Sequence, residues 1–488
     1  MSPISSYLQA TLLAPVVLSG LVHALPAPQA GSPSSSSPLP SGTSGSLRGP
    51  LSLGGYNGNP INPDDRADVT SYALAPGQTE SADIGLYLDF SDIDEPQPIR
   101  GSLGSTDPGP ANYLYEKLNP DSLAPPGTDS GSIPQAMWPM ALSHNRLGIE
   151  NAGWARQQNI NQLPAATEMA GVDMRLAPSA YRELHWHTAN EWGFVINGSC
   201  RVQAVNTNGE TFVDDLNEGD VWVFPSGVPH SIQAFDQGVE FLLIFDNGSF
   251  NEDATFLASE MFLRTPLDVL AKDLKVDISA FDNIPSDELY IFPGTPAPTN
   301  ISEQNITGSA GVVPQNQSYS YHFSQQTPYS VPGGSVKILD STTFPVATMF
   351  AAALVTVEPG AMREIHWHPQ DEWNFFLAGT SARVSIFEAP DSAGTFDFTA
   401  GDVGYIPAVE THYIENTGTD TLVFIEMLKT TEFSDISMGQ WLGLTPPQIV
   451  ADTLHLSPAT LATLPKVKQY IIDSGDVNNT QTNFTVAK

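Results

Sequence analysis

The chain has 488 residues, 41% of them apolar, which is enough for two or three domains with a sizeable buried core. Its 54 acidic and 19 basic side chains leave a net charge of -35. A surface that negative repels a phosphate backbone, so nucleic acid is excluded as a partner class.

The first residues read "MSPISSYLQATLLAPVVLSGLVHALPAPQA". A mostly apolar run from Leu12 to Val22 ends in Val22-His23-Ala24, which satisfies the small-residue rule for cleavage after Ala24. Residues 1–24 are therefore expected to be a secretory signal peptide, although no Lys or Arg precedes the apolar run, and the protein is expected to be secreted and extracellular. No other stretch approaches ~18 continuous apolar residues, so no membrane span is expected. Residues 25–93 form a leader whose first part is rich in Pro, Ser and Gly; it cannot bury enough surface to offset ordering entropy and is expected to be largely disordered. Seven N-x-S/T sequons, at Asn197, Asn247, Asn300, Asn305, Asn316, Asn478 and Asn483, fit an exported glycoprotein. The single cysteine, Cys200, follows the apolar stretch "GFVINGSC" and is expected to be a buried packing thiol. With no intramolecular disulfide available, core or metal must hold the chain together.

From "DEPQPIRG" onward the chain states itself twice. "RELHWHTANEW" from Arg182 returns as "REIHWHPQDEW" from Arg363, "FVDDLNEGDVWVFPSGVPHSI" as "FDFTAGDVGYIPAVETHYI", and "TPLDVLAKDLKVDISAFDNIP" as "TPPQIVADTLHLSPATLATLP". The near-constant offset means duplication of a whole domain, divided here into residues 94–310 and 311–488. Within each copy, short alternating runs such as "RVQAVNT" and "RVSIFEA" lie between Gly, Asp, Asn and Pro, which predicts many short strands in a sandwich or barrel. The 41 prolines and 39 glycines fit the same picture, and the Thr-Pro blocks predict a small helical appendage on each barrel.

The chemistry-bearing residues lie in the duplicated blocks. Residues two apart on a strand share a face, so His185 and His187 point together while Trp186 faces away to pack; Glu191 can return to that side past a short bend. His230, on a later strand, completes a set of four. The second copy offers His366, His368, Glu372 and His412, with Trp367 between its first two histidines. Three imidazoles and a carboxylate suit Mn or Fe(II) with positions left open, or Zn at lower coordination number.

These residues resemble the two cupin motifs: His-x-His-x3-Glu-x6-Gly closes at Gly198 and Gly379, and Gly219-x5-Pro225-x-Gly227-x2-His230 forms the second motif. Two glycines of the pattern are replaced, one by Ser179 where the second copy keeps Gly360, the other by Val409 where the first keeps Gly227. The stretches "SHNRL", "FPSGVPHSIQAF", "EFLLIFDNGSF", "ALVTVEPGAMREIHWH" and "HYIENTG" narrow the resemblance to the bicupin oxalate decarboxylases.

That resemblance implies an all-β dominated fold of two tandem cupin (double-stranded β-helix, jelly-roll) barrels. It implies a homo-oligomer, conversion of oxalate to formate and carbon dioxide, Mn(2+) at two sites per chain, and dioxygen as co-catalyst. It also assigns roles. Arg182 and Arg363 would bind and polarise the substrate carboxylate, although strict alternation points each away from the histidine three residues on, so a bend or bulge is required. Glu252, in "GSFNEDAT", would be the proton donor on a lid; the second copy has Ser434 at that position and so no matching acid. Glu426, where the first copy has Ile244, would support the second site. An oxalate oxidase on the same scaffold and a non-enzymatic metal-binding or storage bicupin are the competing expectations. The retained lid acid argues against the first, and the eight retained ligands argue against the second.

Overall fold

The computed structural model describes residues 126–476, together with Leu118. The signal peptide, the leader and the sequons at Asn478 and Asn483 lie outside the described residues. Among those described, no helix is long and apolar enough to cross a membrane.

The first copy runs β1 (Met137–Pro139), β2 (Asn145–Leu147), β3 (Gly153–Gln158), β4 (Ala170–Leu176), β5 (Tyr181–Trp186), β6 (Glu191–Val205), β7 (Thr211–Asn217), β8 (Val221–Phe224), β9 (His230–Phe245) and β10 (Phe256–Leu257). Helices α1 (Ala258–Arg264) and α2 (Leu267–Leu274) and strand β11 (Ile291–Phe292) close it. The second begins after β12 (Ser320–Tyr321) with β13 (Tyr329–Val331), β14 (Gly334–Leu339), β15 (Ala351–Val357), β16 (Met362–Trp367), β17 (Glu372–Ala378), β18 (Ala382–Glu388), β19 (Ser392–Phe398), β20 (Asp402–Ile406), β21 (Thr411–Asn416), β22 (Leu422–Leu428) and β23 (Ile436–Ser437). It ends in α3 (Met438–Leu444), α4 (Pro447–Leu454), α5 (Pro458–Thr463) and β24 (Ile471–Ile472). The two expected barrels and their helical appendages are therefore present, and Pro266, Pro447 and Pro458 stand at helix starts as their fixed φ favours.

The long strands β6 and β9 pair along most of their length and bend from one face of the first barrel to the other; the second barrel divides the same course into β17 with β18 and β21 with β22. Alternation gives each barrel a lining of its own. Val172, Val202, Ile232 and Phe241 fill the first, with Cys200 fully buried among them as expected of a packing thiol. Val355, Phe376, Val384 and Phe424 fill the second. A third cluster lies between them, joining Trp192, Phe194 and Ile244 to Trp373, Phe375 and Met427. Strand exchange reinforces it: β1 from the first copy pairs with β20, and β12 from the linking region pairs with β8. The sheets thus run across the sequence-level division at residues 310 and 311.

The two replaced glycines are informative. Ser179 and Val409 hold φ of 63° and 64°, the same left-handed conformation as Gly360 and Gly227 at 76° and 74°. The turn is required because Val409 N–H donates to the His368 carbonyl at 2.8 Å, as Gly227 N–H does to His187 at 2.9 Å. Geometry survives the substitution, at a steric cost of roughly 1–2 kcal/mol for the β-branched residue.

Candidate metal centres

Each centre is built where one strand loses register. In β5, Arg182 stands opposite Ile232 but His185 opposite His230, so three residues advance on one strand while two do on the other. The same bulge separates Arg363, opposite Ile414, from His366, opposite His412. This is the bend that strict alternation demanded. It turns both arginines inward, and each is buried to 1% exposure or less.

In the first centre the ring centroids of His185 and His230 lie 4.1 Å apart and those of His187 and His230 5.1 Å apart. Glu191 Oε2 lies 3.0 Å from His187 Nε2 and 3.5 Å from His230 Nε2. The Nδ1 atoms of His185, His187 and His230 sit against the carbonyls of Glu183, Ala189 and Val228 at 2.7–2.8 Å, which fixes the tautomer that leaves Nε2 free to accept. The second centre repeats this. His366, His368 and His412 place Nδ1 against the carbonyls of Glu364, Ser434 and Glu410, and His368 and His412 bring Nε2 to 3.0 Å from Glu372 Oε2.

In both centres the four ligand atoms lie within 4.8 Å of one another, and all eight residues are buried. His230, His366, His368 and His412 have Nε2 atoms without a hydrogen-bond partner, as do both Glu372 oxygens. Buried acceptors that converge in this way are costly unless a cation lies between them, so the residues fit a metal of the Mn, Fe(II) or Zn kind. Their protonation agrees except at His368. Burial, then the charges of Arg182 and Arg363 respectively, holds His185 and His366 well below the usual imidazole range, and burial lowers His230. Burial alone would raise Glu191 and Glu372, but the neighbouring histidines hold both well below the carboxylate range. His368 moves the other way: burial lowers it, and Glu372 more than offsets that. Neutral imidazole and ionised carboxylate are the forms that bind metal.

The centres differ in their surroundings. Trp222 Nε1 donates to Glu191 Oε1 at 2.7 Å, while the matching strand position beside Glu372 is Gly404. In the first, Arg182 Nη2 donates to Glu252 Oε2 at 3.1 Å, and Tyr290 OH donates to the same oxygen at 3.1 Å. Glu252 opens a short 3-10 turn (Glu252–Ala254) and is 5% exposed. Arg182 also lies over the Tyr290 ring at 4.4 Å, and burial with the Glu252 charge raises the tyrosine well above its usual range. Glu183, on the outward side of the bulge, receives N–H groups from Ser259, Leu289 and Tyr290, and so anchors the backbone that carries the phenol.

In the second centre Arg363 meets two carboxylates through Nε and Nη2, while its Nη1 has no hydrogen-bond partner. Its Nε donates to Glu426 at 2.9 Å and its Nη2 to Asp435 at 2.6 Å, and Lys468 sits 2.7 Å from Asp435. Glu426 therefore lies against the arginine. The expectation of no acid in the lid position is corrected: Ser434 contributes only its carbonyl, to His368, but Asp435, one residue on, reaches the arginine. The first copy inserts the 3-10 turn before β10, whereas the second passes almost directly into β23, so equal spacing along the chain does not give equal placement. Tyr290 was missed in the sequence, yet "LYIFPG" and "QYIIDS" place Tyr290 and Tyr470 at the repeat offset, and both hold positive φ. Trp186 and Trp367 face away from the metal ligands, as expected; Trp186 stacks on Phe256 at 5.6 Å, and Trp367 meets Trp441 edge to face at 5.7 Å.

Comparison with known proteins agrees with this architecture. The cupin family model matches residues 141–280 and 321–461. The oxalate decarboxylase OxdC of Bacillus subtilis (strain 168) is 43% identical over 380 residues, covering 78% of this chain and 97% of its own. An oxalate decarboxylase of Arthroderma benhamiae is 37% identical over 405 residues, covering 77% and 93%. A structure of the Bacillus subtilis oxalate decarboxylase at pH 4.6 superposes with a TM-score of 0.73 and 43% identity over 78% of this chain and 98% of that one. Another structure of that enzyme, with the same TM-score, was solved in a study of its Mn(II) centres.

Proposed function

Given that the chain belongs to the cupin family, among its bicupin oxalate decarboxylases, we propose that its first centre converts oxalate to formate and carbon dioxide with Mn(II) held by His185, His187, Glu191 and His230. The observation that carries this reading is the buried Arg182–Glu252–Tyr290 group beside that ligand set. Bound Mn(II) supplies a Lewis-acidic centre with open positions for a carboxylate.

The remaining requirements fall on the chain itself. Oxalate is a small dianion with no apolar handle, and the planar fork of Arg182 matches one carboxylate. Engaging it draws the guanidinium away from Glu252. That leaves the Glu252 carboxyl held by Tyr290 alone and free to turn toward the bound substrate. One proton is what the balance needs: an oxalate dianion and a proton give formate and carbon dioxide. Glu252 is the acid placed to deliver it to the carbon left when carbon dioxide departs, a contribution of ~10²–10⁴-fold. Tyr290 holds the carboxyl in place between turns of the cycle; within the turn of residues 252–254 only Glu252 is buried, behind exposed Asp253 and Ala254. Dioxygen appears nowhere in this balance; its requirement as a co-catalyst belongs to the same proposal and is tested by assaying without it.

The second centre, with His366, His368, Glu372 and His412, takes the second Mn(II) and plays a supporting role. Arg363 is already neutralised by Glu426 and Asp435, so a dianion would have to compete with two carboxylates for its charge. Incubating Mn-loaded protein with oxalate and measuring formate and peroxide separately tests the reading. Formate with little peroxide is expected, whereas peroxide as the main product would establish an oxidase and neither would leave a metal-binding bicupin.

We further propose that the enzyme is secreted, glycosylated and homo-oligomeric. The apolar N-terminal run supports export, and the described sequons at Asn197, Asn247, Asn300, Asn305 and Asn316 are all exposed. Exposed Leu267, Leu274, Trp441, Leu444 and Ile449 on the helical appendages support subunit contacts. Sedimentation of the mature chain before and after glycosidase treatment checks both points: a monomer of unaltered mass would contradict them.

A further inference from the structure

The turn that carries Glu252 is fastened from outside by residues that touch neither metal ligand nor substrate. The end of β3 and the residues after it run beside residues 248–252. Ile160 N–H donates to the Gly248 carbonyl at 2.9 Å, and Asn159 Nδ2 to the Phe250 carbonyl at 2.9 Å. Gln157 then engages the turn twice: its Oε1 accepts from Glu252 N–H at 3.0 Å, and its Nε2 donates to Asn251 Oδ1 at 3.2 Å. On the other side, Arg146 Nη1 donates to the Glu252 carbonyl at 3.0 Å, and its guanidinium pairs with Asp253 at 3.1 Å and Glu288 at 2.9 Å. The same guanidinium lies 3.7 Å from the centre of the Tyr290 ring.

The N–H and C=O of Glu252 are thus each held by a different side chain, while its carboxyl is held by Arg182 and Tyr290. Asn251, the partner of Gln157, also caps the turn by accepting from Asp253 N–H. Behind the turn lies a cavity of about 110 Å³ with a wall that is polar except for Ala155. Little buried hydrocarbon backs residues 251–253 there, so hydrogen bonds fix the turn.

We propose that Gln157 is a positioning residue for the decarboxylation: opposed by Arg146, its amide sets the register of the turn so that the Glu252 carboxyl meets the substrate. This rests on the reading of the first centre as the decarboxylating one. A neutral amide accepts from Glu252 N–H and donates to Asn251 at once, which an aliphatic or ionised side chain of similar length cannot do.

The test uses the Mn-loaded full chain with oxalate, following formate kcat and KM. Gln157→Val is expected to lower kcat by ~10–100-fold, the effect of a misplacement near 1 Å, with KM close to the wild-type value because Arg182 is untouched. Gln157→Glu is expected to be slow near neutral pH and to recover relative to wild type as pH falls. Once protonated, its carboxyl can again donate to Asn251; while ionised it faces Glu252 and Asp253, with Arg146 and His144 as the nearby bases. Asn251→Ala cuts the same bond from the other end and keeps the test decisive if Gln157→Val fails to fold, as judged by metal content and thermal melting. Wild-type kcat in Gln157→Val and Asn251→Ala would overturn the proposal, as would a Gln157→Glu variant with no recovery in acid. Glu252→Ala serves as the control: if it makes formate at the wild-type rate, the underlying reading fails, whereas an inactive Glu252→Ala beside a fully active Gln157→Val overturns the positioning role alone.

Discussion

Two centres with the same four ligands are told apart by the partners of one arginine. Arg182 meets one carboxylate and a phenol, an arrangement that a dianion can enter; Arg363 meets Glu426 and Asp435, and Lys468 lies against Asp435. Arg182→Lys keeps the charge but loses the fork, so KM for oxalate is expected to rise by ~10-fold or more in steady-state assays, while Arg363→Lys leaves KM near wild type. Val409 offers a separate test of how firmly the motif turn is required. Its side chain is 66% exposed and its φ is 64°, so Val409→Gly is expected to stabilise the chain by roughly 0.5–1 kcal/mol, seen as a small rise in Tm. Most of the site was legible at this scale, because duplicated ligand spacing at β-strand period states both identity and direction. Asp435 was not, because the two lids run through different turns, and Gln157 was not, because its contacts join residues 95 apart along the chain.

At the scale of elements, the bulges in β5 and β16 do what alternation could not: they bring an arginine and a histidine three residues apart to one face. Sequence pattern announced the strands and helices, but hydrophobic periodicity contains no term for a register shift, so the arginines' direction came only with the fold. Strand exchange was equally hidden. β1 and β12 are two or three residues long, too short for a periodic signal, yet each adds an edge to the other barrel's sheet. Between the barrels, Trp373 Nε1 donates to Gln158 Oε1 at 2.7 Å within a buried surface. Gln158→Leu leaves that N–H unpaired and is expected to cost about 1–3 kcal/mol, measurable as a lower Tm with Mn content unchanged.

At the scale of the molecule, the net charge of -35 and the buried carboxyls make stability depend on pH. Asp173 on β4 stands opposite Arg156 on β3 and diagonal to Glu240 on β9, and Arg175 lies 3.7 Å from Glu240. Burial, then the Glu240 charge, raises Asp173 well above the carboxylate range. The folded chain therefore keeps this proton where the unfolded chain, near pH ~4, has lost it. The associated stability is complete below that value and declines as pH rises toward the folded one. Asp173→Asn is thus expected to raise Tm at pH 8 and to change it little at pH 4; equal shifts at both would contradict the assignment. Metal adds a second global term, since removing it leaves unpaired acceptors buried in both barrels, so chelation is expected to lower Tm in a concentration-dependent way. That duplicated barrels can share ligands and yet divide their work is the central claim, and formate production by Glu252→Gln beside Asp435→Asn, each with full Mn content, tests it most directly. The account predicts a loss of ~10²–10⁴-fold in the first and activity within a few-fold of wild type in the second; a fully active Glu252→Gln, or an inactive Asp435→Asn, would contradict it.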